Sequence, residues 1–349
     1  MDKKKITVKE LAKKLGVSIS TVSKALNDSH EISEETKRRV QKLAERYHYK
    51  PNRLAVNLKS GSTRTIGVIL PSILSNFFTA VLCGIEEVTN EENYNIITCF
   101  SNESFDREVT NTDILSNGII DGLIVAISEE TQIRKDYDHF RQCLEKGTPV
   151  VMFDRVTSAI ECDKVVVDDY NDAYLATGHL IGCGCKHLAL VSAIDFLSVG
   201  KNRVKGFVAA VEEKLGNLPG DMLIRCSTDE LEQNVEALLS EKKVDGLFAV
   251  DEDASLAIWK VCRELGLVIP GQVSVIGYAG EKLARNLNPA LTTVNQNGVE
   301  IGRESARILL DRLRRDPGGC TTKVINTTIE KRVSTQRKKF LKSFSQEER

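Results

Sequence analysis

The sequence predicts a three-helix head of helix-turn-helix type followed by an α/β body of two doubly wound parallel-sheet lobes. Three features carry that assignment: two short apolar periodicities meeting at a glycine within residues 7–27, a charge split between the first 60 residues and the rest, and apolar strands alternating with amphipathic helices from Thr65 onward. At 349 residues the chain is too long for one core and fits a small head plus a two-part body.

Thr7 followed three residues later by Glu10 is a capping box, which starts the first helix. Val8, Leu11, Ala12 and Leu15 then share one face, and Gly16 stands where a left-handed residue closes a helix. Ser18 can cap a second helix whose inward residues are Val22, Ala25 and Leu26, leaving Ile19, Ser20, Ser23, Lys24 and Asn27 outward. In a helix-turn-helix, the N-terminal part of the second helix enters the DNA major groove and offers such side chains to base edges. A small helical hairpin packed on another part of the chain would share this spacing. Charge favours the DNA reader: residues 1–60 hold fifteen Lys and Arg against seven Asp and Glu, net +8, while the remainder holds 33 against 42, net −9. A cationic lobe on an acidic body suits phosphate neutralisation, although the lysines at 3–5 also suit a solvated tail.

Ser33, with Glu34 and Glu35 at the positive end of the helix dipole, starts a third helix that reaches about Tyr47 and presents Val40, Leu43, Ala44 and Tyr47 as its apolar stripe. Pro51 ends the head, Asn52 can cap a short helix through Leu58, and Ser60, Gly61 and Ser62 read as linker.

The body's strands are TIGVIL, NIITCF, GLIVA and PVVMF, then KVVVD, HLALVS, GLFAV and VSVIGY, with helices at 77–92, 106–117, 171–182, 203–214 and 254–266. Strand–helix alternation argues for parallel βαβ units, and the ligands of such sheets bind outside the strands' carboxyl ends. The expected domains are a head at 1–50, a hinge and linker at 51–63, a bilobed body at 64–333 and a charged tail at 334–349. The lobes are expected to comprise 64–160 plus 292–320, and 161–291 plus 321–333.

No stretch approaches the ~20 apolar residues that span a bilayer, and the lysine-rich start followed by a capped helix lacks a signal-peptide core, so a cytoplasmic protein without membrane contact is expected. Nine cysteines, an odd number, suit reduced thiols better than a disulfide framework. Cys183 and Cys185 lie near His179 and His187, but Gly184 reads as a helix-to-strand turn and no second cysteine pair completes a tetrahedral set; no metal or cofactor is expected.

Beyond these local signals, the first 60 residues resemble the DNA-binding head and hinge of the lac-repressor (LacI/GalR) family of bacterial transcription regulators. The resemblance lies in Val17-Ser18, Thr21-Val22-Ser23, Asn27, Ser33, Thr36, Val40, Tyr49, Pro51-Asn52, Ala55 and Leu58. It implies that residues 53–58 form a hinge helix, that two such helices pair in a homodimer on a palindromic operator, and that Leu58 wedges into the minor groove, a deformation costing roughly a few kcal/mol. The implied DNA-contacting set is Thr7, Ser18, Ile19, Ser20, Thr21, Ser23, Lys24, Asn27, Tyr49, Asn52, Arg53, Ala55 and Leu58. Without the family, Leu58 would read as an ordinary linker residue. Lys24 replaces the family's common arginine, and a flexible point charge discriminates bases less tightly than a two-pronged guanidinium.

The resemblance continues to about residue 333 through Phe153-Asp154-Arg155, His179-Leu180-Ile181, Arg203, Gly206-Phe207, Pro270, Gly277, Pro289 and Leu291-Thr292-Thr293, and implies a periplasmic-binding-protein-like sensor. It places Phe77 on the pocket floor, Asp154 and Arg203 on a small-molecule effector, and Gln296 beside it. Asp251 and Glu252 join the effector set from their place past a strand end, where a solvated helix N-terminus is the plainer alternative. Carboxylates and guanidinium hold vicinal hydroxyls with paired contacts, so a sugar or sugar derivative is the expected effector. Glu252 stands where the family has Asp, and Tyr278-Ala279-Gly280 replaces its aromatic-acid-acid run, so one ligand-holding acid is missing.

No Walker loop, nucleophile-elbow serine or HExxH motif is present, so no catalytic residue is assigned. Two rivals remain: an α/β enzyme with a fused reader, and a sugar-binding transport component, which would need an export signal and no basic head. The tail lacks a leucine heptad for a four-chain coiled coil.

Overall fold

The computed structural model describes residues 6–26, 28–47, 49, 62–241, 243–314 and 318–337, and its contacts divide into two units, Met1–Thr63 and Arg64–Arg349. In the first unit, helix α1 spans Val8–Leu15, α2 Ile19–Leu26 and α3 Glu34–Arg46. The Thr7 hydroxyl accepts from the Glu10 amide at 3.3 Å while Glu10 Oε2 accepts from the Thr7 amide at 2.7 Å, so the capping box starts α1. Gly16, at φ 67°, closes it. Leu11, Ala12, Val22, Ala25 and Val40 are buried together as the head's core.

The predicted stripe of α3 is corrected at its end. Tyr47 is 40% exposed under the Lys14 ammonium, because the helix stops at Arg46 and Tyr47 has left its register. Tyr49 packs on the core instead, its amide donating to the Ala44 carbonyl at 2.8 Å.

The body holds two six-stranded sheets. The first contains β1 Thr65–Leu70, β2 Asn95–Phe100, β3 Gly122–Val125, β4 Val150–Phe153, β5 Asp163–Val166 and β11 Thr322–Val324, all parallel, in the order β11-β5-β4-β3-β1-β2. Helices α4 Asn76–Glu91, α5 Phe105–Ser116, α6 Glu129–Arg134, α7 Asp138–Glu145 and α13 Gly298–Arg314 belong to this lobe. The second sheet contains β6 Leu188–Ser192, β7 Leu223–Arg225, β8 Gly246–Ala249, β9 Ser274–Gly277, β10 Thr292–Asn295 and β12 Thr328–Glu330 in the order β12-β10-β9-β8-β6-β7, with only β12 antiparallel. Its helices are α8 Asp169–Gly182, α9 Ser198–Leu215, α10 Leu231–Glu241, α11 Glu252–Glu264 and α12 Glu281–Asn286. Strands such as β3 and β8 are buried along their whole length, as central parallel strands covered on both faces require.

The expected lobe boundaries change. β5 and β11 belong to the first sheet and β10 to the second, so residues 161–166 and 321–324 leave the second lobe and 292–295 enter it. The cause is local: no helix separates β4 from β5, and β5 lies in register beside β4 with Phe153 opposite Val165. The expected tail also begins too early, since Ser334 is fully buried and donates to the Val275 carbonyl at 2.6 Å. Helix α9 starts at Ser198, before the expected Arg203, which places Arg203 in its interior.

Within the first lobe, α4 and α13 cross backbone to backbone at Gly84 and Gly302. A Cβ at Gly84 would lie 2.0 Å from the Val299 carbonyl oxygen, and one at Gly302 equally close, 2.0 Å, to that of Val81. Gly302→Ala must therefore push the helices apart. It is expected to destabilise the body by about 1–3 kcal/mol and lower its Tm in thermal unfolding; an unchanged Tm would show that the crossing is loose.

Candidate functional site

In the head, α2 divides into two faces. Val22 and Ala25 are fully buried, while Ser18, Ile19 and Ser20 at its N-terminal end are exposed, Ile19 to 44%. Ser18 Oγ accepts from the Thr21 amide at 3.0 Å and bonds the Thr21 hydroxyl at 2.8 Å, so it caps the helix whose outer face it begins. Ser23 and Lys24 are half-buried, and the Lys24 ammonium pairs with Glu31 on the following loop. Thr7 sits exposed within its capping box, and Tyr49 is turned to the core. Asn27, Asn52, Arg53, Ala55 and Leu58 lie outside the described residues. A surface with small hydroxyls and one exposed apolar side chain at the helix N-terminus and a lysine in its last turn is suited to base edges and phosphates.

In the body, the connections leaving the carboxyl ends of the two sheets enclose a cavity of about 700 Å³. All six sequence-selected cleft residues, Phe77, Asp154, Arg203, Asp251, Glu252 and Gln296, line it. They do different things. Phe77 follows the start of α4 and packs its ring 5.3 Å from that of Phe78. Asp154 follows β4 in the left-handed region at φ 56°, and its Oδ1 is buried without a hydrogen-bond partner. Burial and the nearby Asp169 push its carboxyl up to about 6, against the opposing pull of Arg203 and Arg155.

Arg203 is 4% exposed, with Nε donating to Asp169 Oδ1 at 2.7 Å, Nη1 to the Val250 carbonyl at 2.8 Å, and the guanidinium 3.6 Å from the centre of the Tyr278 ring. Burial works against its charge, but Asp169, Tyr278 and Asp154 outweigh burial and hold it protonated, above the ordinary arginine range. Asp251 is a helix cap: Oδ1 accepts from the Ala254 amide at 2.8 Å and Oδ2 from the Ala193 amide at 3.1 Å, tying the ends of β8 and β6 together. Glu252 accepts from the Gly280 amide at 2.7 Å and from Asn76 Nδ2 at 3.0 Å. Gln296 lies on the crossover from β10 to α13.

Sequence reasoning missed Asn76, Asp169 and Asp172, and noted Tyr278 only as part of a replaced motif. Tyr278 is 4% exposed with its hydroxyl unpartnered, beneath Arg203. Asp172 accepts from the Thr327 hydroxyl on the crossover between β11 and β12, and burial pushes it up to about 6. Two acids at the start of α8 carry no motif of their own, so only the fold reveals them.

Around the considered cysteines, His179 Nε2 lies 2.9 Å from the Thr335 hydroxyl, and Cys185 donates toward the Asp245 carbonyl at 3.3 Å. Among the described residues no group of three His, Cys, Asp or Glu side chains is placed to hold a metal ion, and no helix is long and apolar enough to cross a membrane.

Comparison with known proteins places both units. Residues 7–52 match the bacterial regulatory proteins of the lacI family, and residues 177–335 match a periplasmic binding protein-like domain. The HTH-type transcriptional repressor PurR of Aliivibrio fischeri (strain ATCC 700601 / ES114) is 30% identical over 315 residues, 88% of this chain and 92% of that protein. A LacI family transcriptional regulator from Enterococcus faecium with bound ribose is 29% identical, with a TM-score of 0.67 over 77% of this chain and 98% of that one. The lac repressor dimer bound to operator and an anti-inducer shares the fold at a TM-score of 0.82, 20% identity, and coverage of 95% and 99%.

Two of the raised carboxyls, Asp154 and Asp172, set a pH dependence. Asp154 and Asp172 move from 3.8 to about 6, so between these values the folded chain keeps protons that the unfolded chain releases. Their contribution favours the fold fully below about pH 4 and is lost as pH rises through 6, at roughly 1.4 kcal/mol per pKa unit. Asp154→Asn is therefore expected to raise Tm by several degrees at pH 7.5 and by about a third as much at pH 4.5. A shift of equal size at both pH values would mean that Asp154 is not a buried, titrating group.

Proposed function

This chain belongs to the lacI family of bacterial regulatory proteins, and on that basis we propose that α2 of its head reads a palindromic operator while the cleft of its body binds a sugar or sugar derivative that controls this reading. As a member, it is a DNA-binding transcription regulator. In the proposed arrangement a homodimer, working in the cytoplasm, sets two heads on half-sites related by its two-fold axis. Ile19 contacts a thymine methyl, Ser20 hydrogen-bonds a base edge, and Lys24 leaves Glu31 to meet a phosphate or guanine.

The observation that carries the effector reading is Asp154 Oδ1, a buried acceptor without a partner in a cavity that also offers the Tyr278 hydroxyl and the Phe77 and Phe78 rings. A hydroxyl donor from a ligand would satisfy it. The relative from Enterococcus faecium, which has bound ribose, supports the sugar class. Coupling to DNA follows if the ligand prefers one arrangement of the lobes, and its size equals that difference in affinity.

The test is duplex selection from a random pool at moderate ionic strength, paired with thermal-shift screening against sugars, sugar phosphates, nucleosides and purines. A palindromic sequence should be enriched. Exchanging Ile19-Ser20 for another pair should change the enriched bases, and Lys24→Ala should weaken binding and lower the salt slope by about 1. No enrichment over random duplex would overturn the reading of the head. A melting shift only from ligands without hydroxyls would overturn that of the cleft.

A further inference from the structure

Glu252 stands at a corner of the cleft where the two lobes touch, and both of its carboxylate oxygens are already engaged by the protein. Oε2 accepts from the Gly280 amide at 2.7 Å within its own lobe, and Oε1 accepts from Asn76 Nδ2 at 3.0 Å across the cleft. Gly280 itself has φ −59°, which any residue adopts, so its backbone does not call for glycine. The approach of Asn76 does. A Cβ at position 280 would lie 2.7 Å from Asn76 Cβ and 3.0 Å from its Cγ, closer than real side chains pack. Asn76 is free for this contact because the neighbouring Ser75 caps α4, its hydroxyl accepting from the Phe78 amide at 3.4 Å.

The two departures in this corner, Gly280 and Glu252, therefore explain one another. The absent side chain at 280 lets Asn76 come close, and the extra methylene of Glu252 over an aspartate lets one carboxylate reach both an amide on its own lobe and a side chain on the other. We propose that Asn76, Glu252 and Gly280 form a clasp that holds the lobes together without an effector, and that Glu252 positions the lobes and does not grip the ligand. A second bridge, from the Ser198 amide to Gln132 Oε1 at 3.0 Å, joins α9 to α6 elsewhere between the lobes. The clasp concerns lobe closure, so it stands or falls separately from the identity of the effector.

Because the clasp pairs a donor on one lobe with an acceptor on the other, its polarity can be reversed. Asn76→Asp sets two carboxylates against each other. Adding Glu252→Gln restores a donor–acceptor pair, since the amide introduced at 252 can donate to the carboxylate at 76 while its oxygen still accepts from the Gly280 amide. The experiment is hydrogen exchange on the effector-free full chain, following the first turn of α4 and the segment 279–283. Asn76→Asp should speed exchange about tenfold in both segments, as expected for losing a charged hydrogen bond, and the double variant should return it to the parent rate. Gly280→Ala should loosen both segments too, and keeps the test available if Asn76→Asp does not fold. Parent-like exchange in the folded single variant, or a double variant as loose as the single, would overturn the proposal.

Discussion

A single buried guanidinium organises the body. Arg203 joins the start of α8 through Asp169, the end of β8 through the Val250 carbonyl, and the residue after β9 through the Tyr278 ring. Taking such a charge out of water costs several kcal/mol unless its partners are close and well aligned. Here they are, and the cost becomes a constraint: the ends of the second lobe's strands are held in one arrangement around a cation. Asp154 reaches this centre from the first lobe and feels both Arg203 and Asp169. The balance between those two neighbours changes with any movement of one lobe against the other.

The chain passes between lobes at three places, after β5, after β10 and after β11. These passages are laced to one another and to α8: Asn297 donates to the Asn326 carbonyl, and Thr327 donates to Asp172. Short crossovers of this kind allow hinge motion while the packed sheets move as units. The cleft chemistry and the hinge chemistry thus share α8, which supplies Asp169 to one and Asp172 to the other. A ligand that engages Asp154 would act on the charge balance at the point where the lobes turn.

Local signals in the sequence were readable where local physics decides. The Thr7–Glu10 box, the Gly16 stop and the Ser33 cap each depend on residues within one turn, and each is in place. Pairings decided far along the chain were not. β5 reads as the first strand of a second series, yet it completes the first sheet because it lies beside β4, a choice made by register and not by composition. Tyr47 and Tyr49 exchange roles because one residue of helix fraying changes which ring meets the core. In the cleft, family resemblance drew attention to Asp154 and Arg203, and the fold sets them around one cavity. Asn76 and Glu252 are 176 residues apart, and Gly280 read only as a missing acid until the neighbour that occupies its space was visible.

Arg203 and Asp154 are both buried at the cleft floor, and the carboxyl of Asp154 reports that burial directly. Titration of carbon-13-labelled aspartate by NMR, with Asp154→Asn to assign the signal, should place Asp154 at about 6 in the effector-free chain. A midpoint near the ordinary value, about 4, would mean that water reaches this carboxylate and that Asp154, Asp169 and Arg203 do not form a buried centre in solution.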